Sequence, residues 1–286
     1  MSQIKKVAVL LTCHNRKDKT LACLQALFQC ELPESYFLDV FLVDDGSTDG
    51  TEQAVQEIYP QVNIIKGDGS LFWNGGMRLA FTTALDKAFD YYLWLNDDTL
   101  IYPLTIKGLI ETSKALSKKR EKAAIVVGST QDEVTGQLTY GGVTRPNKWK
   151  KTSFKLLPIQ NEPVECETMN GNCVLIPDEI AQTVGGMEPK FAHAMGDLDY
   201  GLRARKHGFS VWVMPSYAGT CGKNSSAGSF NDPSLSVFLR LRKMLQRKGV
   251  PLASWRIFTQ RHAGFLWPIF WLWPYLKVIL KGLVRK

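Results

Sequence analysis

The residues of this chain most able to carry chemistry are two adjacent carboxylates, Asp97 and Asp98, which end the apolar run 91–95. Two like charges side by side repel each other, so such a pair usually has a cation or strong hydrogen-bond donors beside it. A divalent metal that holds a diphosphate meets this need, because Mg²⁺ typically takes one or two carboxylates together with phosphate oxygens. The pair alone also fits a solvated turn, since Asn and Asp favour turns.

Two further apolar runs end in polar clusters, which favours a shared site over a chance turn. Residues 7–11 are followed by the cluster 12–16 (TCHNR), and residues 39–43 are followed by the cluster 44–50 (DDGSTDG). If these runs are parallel strands, their carboxyl ends lie along one edge of the sheet, where ligands bind in open α/β folds. We therefore expect the three clusters to face one cleft.

The first 130 residues alternate short apolar runs with helical periodicity, which predicts a βαβ series and a mostly parallel sheet. The predicted strands cover residues 7–11, 40–43, 62–65 and 91–95. The predicted helices cover residues 17–30, 51–58 and 77–89, and a glycine- and aromatic-rich loop is expected at 67–76. No G-x-G-x-x-G fingerprint follows the first run, so a dinucleotide cofactor is not expected.

The middle of the chain is less regular, with further strands expected at 124–127, 138–143, 173–176 and 211–214. Residues 195–208 predict one helix, with acids in its first turn, bases in its last turn and Gly208 at its end. Positions i and i+2 diverge on a helix, so Asp197 and Asp199 cannot face the same way. One of these two carboxylates is therefore free to point into a cleft.

The charge of the chain is concentrated near its C-terminus. The 286 residues carry a net charge of +8, and residues 240–286 contain eleven Lys and Arg residues and no Asp or Glu. The remaining residues, 1–239, therefore carry the difference between +8 and +11, a net charge of −3. A mildly acidic body without a recognisable nucleic-acid module argues against nucleic acid as a partner.

Cysteine usage and the N-terminus both favour a cytoplasmic protein. The six cysteines form no C-x-x-C pair, so neither a zinc site nor a disulfide framework is expected, and a reducing compartment is the simpler setting. Lys5 and Lys6 precede an apolar run of only five residues, which is too short for the core of a signal peptide.

The C-terminal tail, residues 229–286, has the composition of a helical membrane-surface element. A helix is expected from Asp232 to Gly249, and residues 263–276 contain no charge and are rich in Trp and Phe. That second stretch is too short and too interrupted by proline for a membrane span. Aromatic residues beside Lys and Arg suit a helix in the lipid headgroup region, so residues 240–286 are expected to bind an anionic membrane surface. The alternative is a helix packed on the body of the protein, with its aromatic side chains as core.

The order of these clusters resembles the family 2 glycosyltransferases, which have the GT-A fold. The resemblance rests on residues 11–16 (LTCHNR), 43–49 (VDDGSTD), 95–98 (LNDD) and 196–203 (GDLDYGLR), and covers roughly residues 5–215. Residues 73–77 (WNGGM) are similar to the subgroup that includes bacterial rhamnosyl- and galactofuranosyltransferases.

The resemblance implies an α/β fold of GT-A type, a Rossmann-like and mostly parallel sheet flanked by helices. It places the glycosyltransferase domain at residues 1–228, with a nucleotide-binding half at about 1–100 and an acceptor half at about 101–228. The basic amphipathic tail at 229–286 would follow as a helical extension.

The resemblance also implies an inverting transfer of a sugar, such as rhamnose or galactofuranose, from a UDP- or dTDP-sugar. The acceptor would be a hydroxyl of a glycan or of a polyprenyl-linked oligosaccharide in bacterial cell-surface polysaccharide synthesis. The enzyme would act on the inner face of the cell membrane and use Mn²⁺ or Mg²⁺.

Roles for individual residues follow from the same resemblance. Asp98 matches the direct metal ligand, and Asp197 matches the catalytic base. The implied donor and nucleotide contacts are Thr12, His14, Asn15, Asp45, Gly46, Trp73, Gly75 and Asp97. The implied contacts to acceptor or phosphate are Asn172, Asp199, Arg203 and Lys223.

The chain departs from the family pattern in two places. The acidic motif begins with the neutral Asn96, and residues 220–225 (TCGKNS) stand where many relatives carry a metal-binding histidine. Lys223 could compensate diphosphate charge in its place.

Two other functions are weighed against the transferase. A sugar-nucleotide nucleotidyltransferase also uses acidic metal sites, but residues 12–17 lack the glycine of its phosphate loop. A non-catalytic protein that binds a sugar or nucleotide is favoured by the departure at 220–225 and opposed by the retention of the main carboxylates.

Overall fold

The apolar runs of the first hundred residues form neighbouring strands of one central sheet. The computed structural model describes residues 4–191, 193–223 and 226–283, and side chains as far as residue 280. Strands β1 (Lys5–Cys13), β2 (Tyr36–Asp44), β3 (Asn63–Lys66) and β4 (Tyr91–Leu95) lie parallel in the order β3-β2-β1-β4. Residues 224–225 and 284–286, and the side chain of Lys281, belong to the predicted phosphate-contact and membrane-binding segments but lie outside the described residues.

The second half of the sheet mixes strand directions. Its strands are β5 (Leu100–Ile101), β6 (Ala124–Gln131), β7 (Leu138–Tyr140), β10 (Val164–Cys166), β12 (Cys173–Pro177) and β13 (Ser210–Thr220). Strand β12 runs antiparallel between β4 and β6, and β13 runs parallel to β6. A separate small sheet contains β8 (Gly142–Thr144), β9 (Lys155–Leu156) and β11 (Thr168–Met169).

Helices cover both faces of the central sheet because its strands alternate their apolar side chains between the two faces. Helices α1 (Lys17–Phe28), α2 (Thr51–Ile58) and α4 (Thr105–Arg120) pack on the face that includes Val9 of β1. Helices α3 (Phe72–Leu85), α5 (Asp178–Val184) and α6 (Gly196–Lys206) pack on the face that includes Leu10. The predicted α/β architecture with helices on both sides of the sheet is confirmed.

Helix α3 begins five residues earlier than the sequence pattern predicts, so the WNGG stretch is helical and the loop is confined to residues 67–71. The cause is that Asp45, which is distant in sequence, caps the N-terminus of this helix. The Asp45 carboxylate accepts hydrogen bonds from the backbone N–H groups of Leu71 (3.2 Å) and Phe72 (3.0 Å). These are among the amide groups that a helix N-terminus leaves without an internal partner.

The C-terminal tail contains three helices, α7 (Val237–Met244), α8 (Leu252–His262) and α9 (Trp267–Leu283). The predicted helix start at Asp232 is wrong, because the Asp232 carboxylate accepts N–H groups from Gly228 and Ser234 in a turn. The side chain of Ser236 caps α7 in its place. Helix α8 had no counterpart in the sequence prediction.

One face of the tail packs on the body of the protein. Trp255, Phe258 and Tyr275 are buried in a cluster with Phe191 and Met195 of the body. Within the described residues no helix has the length and apolar character that crossing a membrane needs. The predicted boundary between residues 228 and 229 stays a prediction, since the two parts share this core.

Candidate functional site

The carboxyl ends of β1, β2 and β4 open into one cavity of about 560 Å³. The strand register sets Cys13 beside Asp44 and Leu10 beside Trp94, so these three strands end at one edge of the sheet. The expectation that the three polar clusters face one cleft is thereby confirmed. The predicted site residues that line this cavity are Thr12, His14, Asp45, Trp73, Asp97, Asp98, Asn172 and Asp197.

The paired carboxylates of the acidic motif share one guanidinium group. Nη1 of Arg16 lies 2.9 Å from Oδ1 of Asp97 and 2.9 Å from Oδ2 of Asp98. Such charge-assisted contacts are stronger than hydrogen bonds between neutral groups. Arg16 therefore offsets the repulsion between two carboxylates that strand β4 delivers to the cavity side by side.

One oxygen of this pair has no partner among the described residues. Oδ2 of Asp97 is buried without a hydrogen bond, and burial raises the pKa of Asp97 to about 6 against the lowering effect of Arg16. A buried, unsatisfied carboxylate oxygen is costly unless a cation or donor reaches it.

Asp98 and the unpartnered oxygen of Asp97 fit a hard divalent cation. No group of three or more His, Cys, Asp or Glu among the described residues is placed to hold a metal. Mg²⁺ is commonly held by one or two carboxylates and completed by substrate phosphates, and Asp97 and Asp98 offer two.

Cys221 lies on the other side of Asp98, in the segment where the family pattern differs. Its thiol donates to Oδ1 of Asp98 (3.6 Å) and accepts from Nδ2 of Asn172 (3.5 Å). Burial raises the pKa of Cys221 to about 11, so the thiol is protonated and acts as a neutral donor at pH 7. Asn172 thus lies at the cavity wall with its side chain bonded to a cysteine, and its predicted contact to acceptor or phosphate stays a prediction.

Asp45 organises the side of the cavity that the loop 67–71 forms. Its Oδ1 accepts N–H groups from Gly69 (2.8 Å) and Leu71, and its Oδ2 accepts that of Phe72. Its backbone carbonyl accepts Nδ1–H of His14 at 2.6 Å. The carboxylate expected to read the nucleobase therefore also holds the loop 67–71 against the end of β2.

Trp73 forms the wall between this loop and the acidic motif. Its indole N–H donates to Oδ1 of Asn96 at 2.6 Å. Asn96, the neutral residue of the acidic motif, therefore holds the Trp73 ring in place. A Cβ added at Gly171 would lie 2.5 Å from the Trp73 ring. The loop before β12 can therefore approach the indole only because residue 171 is glycine.

Asp197 lies in the first turn of α6, half-buried in the cavity wall. Its Oδ1 accepts the N–H of Leu198 (2.8 Å) and its Oδ2 accepts the N–H of Gly171 (3.1 Å). Burial raises the pKa of Asp197 despite these two donors. A carboxylate so placed is oriented, and it is more basic than an exposed one.

Asn15, Gly46 and Gly75 shape the cavity without lining it. Asn15 joins two loops, because its backbone N–H donates to Ser47 and its Oδ1 accepts the N–H of Thr48. Gly46 has a φ of +68° and lies against Gly69, where a Cβ would come within 3.0 Å of a backbone nitrogen. Gly75 lies against the Leu71 side chain, at the start of α3.

Asp199, Arg203 and Lys223 do not line the cavity. The Asp199 side chain is 0% exposed and is bound by Arg203, Arg261 and His262, all at 2.8 Å. Arg203 is also engaged by the backbone carbonyls of Val184 and Gly186. We therefore withdraw the expectation that Asp199 and Arg203 contact acceptor or phosphate. Lys223 is exposed, and its predicted contact stays a prediction. Asp197 is the carboxylate of α6 that faces the cleft.

The residues that line the cavity and had no role in the sequence reasoning include Arg16, His193, Cys221 and Lys248. Arg16 lies within a predicted polar cluster, so its position was accessible to the same argument. Lys248 comes from the tail, and no local pattern connects it to the acidic motif.

The comparisons with known proteins agree with this geometry. The model of the family "Glycosyl transferase family 2" matches residues 8–183, more than half of the chain. Two curated N-acetylglucosaminyl-diphospho-decaprenol L-rhamnosyltransferases from Mycobacterium tuberculosis are 24% identical over 201 residues, which is 63% of this chain and 64% of theirs. The chain thus spans just under two thirds of the length of these relatives.

Solved structures show the same fold. S. aureus TarS aligns with a TM-score of 0.55 and 14% identity, over 91% of this chain and 44% of that one. The mannosyltransferase PcManGT from Pyrobaculum calidifontis, solved in complex with GDP-Man and Mn²⁺, aligns with a TM-score of 0.52 and 17% identity, over 86% of this chain and 64% of that one. The shared fold and the match of the family model to most of the sheet lead to one conclusion: the chain belongs to glycosyl transferase family 2.

Proposed function

We propose that this protein is a metal-dependent, inverting glycosyltransferase that moves a sugar from a nucleotide-diphosphate sugar to an acceptor hydroxyl. One observation carries the proposal: the carboxylate pair Asp97 and Asp98 and the separate carboxylate Asp197 face the same cavity. The pair suits a diphosphate and its metal, and the third carboxylate suits proton transfer. Family membership supports this assignment.

The donor's nucleoside would occupy the side of the cavity formed by Thr12, His14 and Asp45. Thr12 ends β1, and His14 is fixed by its bond to the Asp45 carbonyl, so both are held by the sheet edge. Trp73 offers a flat apolar surface beside them. A rigid wall of this kind orients the donor before reaction, which lowers the entropic part of the barrier.

Asp98 and Oδ2 of Asp97 would hold the divalent metal. When bound, Mn²⁺ or Mg²⁺ stabilises the negative charge that develops on the leaving diphosphate. Arg16 lies against the same carboxylates and can turn its remaining N–H groups towards phosphate oxygens.

Asp197 would act as the general base. The acceptor oxygen attacks the anomeric carbon from the face opposite the leaving group, so the configuration inverts. As the new C–O bond forms, the hydroxyl proton passes to a carboxylate oxygen of Asp197. The two backbone N–H groups that bind Asp197 fix its orientation, and its raised pKa improves it as a proton acceptor near neutral pH.

The acceptor is proposed to be a polyprenyl-diphosphate-linked sugar of the bacterial cell surface, as the names of the curated relatives suggest. The donor is proposed to be a UDP- or dTDP-sugar, with rhamnose or galactofuranose as candidate sugars. A lipid-linked acceptor requires the enzyme to work at a membrane surface.

The tail is proposed to supply that contact on the cytoplasmic face. Its outer side exposes large apolar residues, among them Phe265 (89%), Ile269 (62%) and Trp273 (52%). The tail also carries basic residues without any acid from 240 onward, which favours anionic lipid.

Vesicle sedimentation of full-length protein tests this contact. Trp273→Ser should reduce binding to phosphatidylglycerol vesicles several-fold, whereas Phe37→Ser, at an aromatic of similar exposure (57%) on β2, should not. Equal binding by both variants would refute the membrane role. Deleting the tail is a poorer test, because deletion also removes the Arg261 and His262 partners of buried Asp199.

A thermal-shift panel of nucleoside diphosphates and nucleotide sugars, with and without Mn²⁺, tests the catalytic proposal first. A ligand that binds only the native state raises the midpoint by mass action. Metal-dependent stabilisation by UDP or dTDP compounds, lost in Asp98→Asn, supports the transferase. Pyrophosphate release from a nucleoside triphosphate would favour the nucleotidyltransferase, and tight binding without turnover would favour a non-catalytic protein.

A further inference from the structure

The segment between helices α7 and α8 reaches back to the active-site cavity. Lys248, in this segment, lines the cavity together with residues of the acidic motif and of α6. The tail therefore contributes to the cavity itself, in addition to covering the body with its aromatic side chains.

Four contacts fix the segment that carries Lys248. The guanidinium of its neighbour Arg247 donates to the carbonyl of Ser70 (2.9 Å) and lies 5.2 Å from the ring of Phe72. The N–H of Val250 donates to the carbonyl of Met244 (2.6 Å). The Tyr275 hydroxyl donates to the Val250 carbonyl (2.8 Å), which joins the segment to α9.

Gly249 makes this turn possible. A Cβ at this position would lie 2.4 Å from the carbonyl oxygen of Met244, a distance that no real side chain adopts. The turn therefore depends on glycine directly after Lys248. The lysine stands on an anchored turn that is tied to the loop 67–71 on one side and to α9 on the other.

Lys248 is a second cavity cation, beside Arg16. One nitrogen of Arg16 is already engaged by Asp97 and Asp98, which leaves only its remaining N–H groups for a ligand. Among the described residues, the Lys248 ammonium has neither an ion pair nor a hydrogen bond. A substrate diphosphate entering this cavity meets several carboxylates, so a free cation at the wall favours its binding.

We propose that Lys248 binds a phosphate group of a substrate diphosphate and that the C-terminal tail thereby forms part of the active site. This proposal rests on the glycosyltransferase function proposed above. The ammonium group is a compact point charge with three donors, which suits phosphate oxygens. The diphosphate has two possible sources, the nucleotide sugar and a polyprenyl-diphosphate acceptor.

Binding measurements on the full-length protein test the proposal. In Lys248→Gln we expect an affinity loss of about tenfold for a diphosphate probe, as for loss of one charge-assisted hydrogen bond, and partial rescue in Lys248→Arg. Lys119→Gln is the matched control, since it removes the same charge from an exposed position of α4 that does not line the cavity.

Two probes separate the two sources of the diphosphate. UDP and dTDP, with Mn²⁺, report on the donor, and a short-chain polyprenyl diphosphate in detergent reports on the acceptor. Weaker binding of the nucleotides alone assigns Lys248 to the donor, and weaker binding of the lipid diphosphate alone assigns it to the acceptor. Less than a twofold change with both probes, relative to Lys119→Gln, overturns the proposal. If the unmodified protein binds neither probe, the glycosyltransferase function itself fails.

Discussion

Replacing Asp199 by Asn should destabilise the protein strongly while leaving its shape intact. Asp199 is fully buried, and its carboxylate is the shared anion for Arg203 of α6 and for Arg261 and His262 of α8. Asn has nearly the same shape but no charge, so one oxygen remains as a neutral acceptor while the NH₂ group faces donors. The variant therefore removes the anion that joins the tail to the helix carrying Asp197.

The size of the loss in unfolding free energy depends on the burial of Asp199 and on the partners that Arg203 and Arg261 retain. Removing one partner of a buried ion pair typically costs about 3–5 kcal/mol. Arg261 retains Glu188 at 2.7 Å, and Arg203 retains the carbonyls of Val184 and Gly186. These contacts place the expected loss at the lower end, about 3 kcal/mol, a large share of a typical unfolding free energy of about 5–15 kcal/mol.

Urea unfolding followed by circular dichroism measures this loss. With an m-value near the upper end of the usual range for urea, the urea concentration at the unfolding midpoint should fall by about 1 M. Glu165→Gln is the matched control, because Glu165 also lies between two arginines, Arg120 and Arg205, but is 39% exposed. An exposed pair contributes at most about 1 kcal/mol. Equal losses in the two variants would refute the argument from burial.

The loss of stability in Asp199→Asn should also depend on pH. Burial alone would raise the pKa of Asp199, but His262, Arg203 and Arg261 together lower it below its ordinary value. A carboxylate with a lowered folded-state pKa stabilises the fold above its unfolded pKa of about 3.9 and loses this effect as pH falls through the folded pKa. The difference between Asp199→Asn and the unmodified protein should be full at pH 7 and should shrink below about pH 4.

Three further predictions concern the cavity. Gly76→Ala should destabilise the protein by about 1–3 kcal/mol in thermal unfolding, because its Cβ would lie 2.0 Å from Oγ1 of Thr12. Gly108→Ala in α4 is the control and should not destabilise the protein, because its Cβ would meet only a methionine methyl group at 3.9 Å. Arg16→Gln should tighten Mn²⁺ binding about tenfold by electron paramagnetic resonance titration, because the cation competing for both carboxylates is removed; weaker binding would mean that Arg16 supports the metal. Asp197→Asn should lower turnover by about 10²–10⁴ without altering nucleotide-induced thermal shifts, and the unmodified enzyme should lose activity as pH falls through the raised pKa of Asp197.

The sequence predicts the central sheet and most of the cavity because those features depend on local patterns. An apolar run of strand length followed by carboxylates places Asp97 at the sheet edge, and the βαβ alternation indicates that the first strands are parallel. The early start of α3 could not be predicted, because its cap is Asp45, 26 residues from Leu71 in sequence. Glycines at 67–76 suggest a loop, and their role in close helix packing depends on what lies opposite.

The same limit explains the errors in α6 and in the tail. Asp197 and Asp199 look alike in sequence, and only the arrival of Arg261 and His262 from α8 shows that Asp199 faces the interior. Lys248 likewise joins the cavity through the tertiary fold of the tail. Pairings over such sequence distances leave no periodic pattern in the sequence. The composition of the tail therefore suggested only a surface element, although Lys248 of the tail also lines the cavity.

The Asp199 cluster has a consequence for the order of events during synthesis. Asp199 leaves the ribosome 62 residues ahead of Arg261, and at about 5–20 residues per second this interval lasts about 3–12 s. Over that time the nascent body holds the carboxylate without two of its partners, and burying it would be costly. We therefore expect helix α6, which bears the proposed general base Asp197, to dock fully only when α8 has emerged.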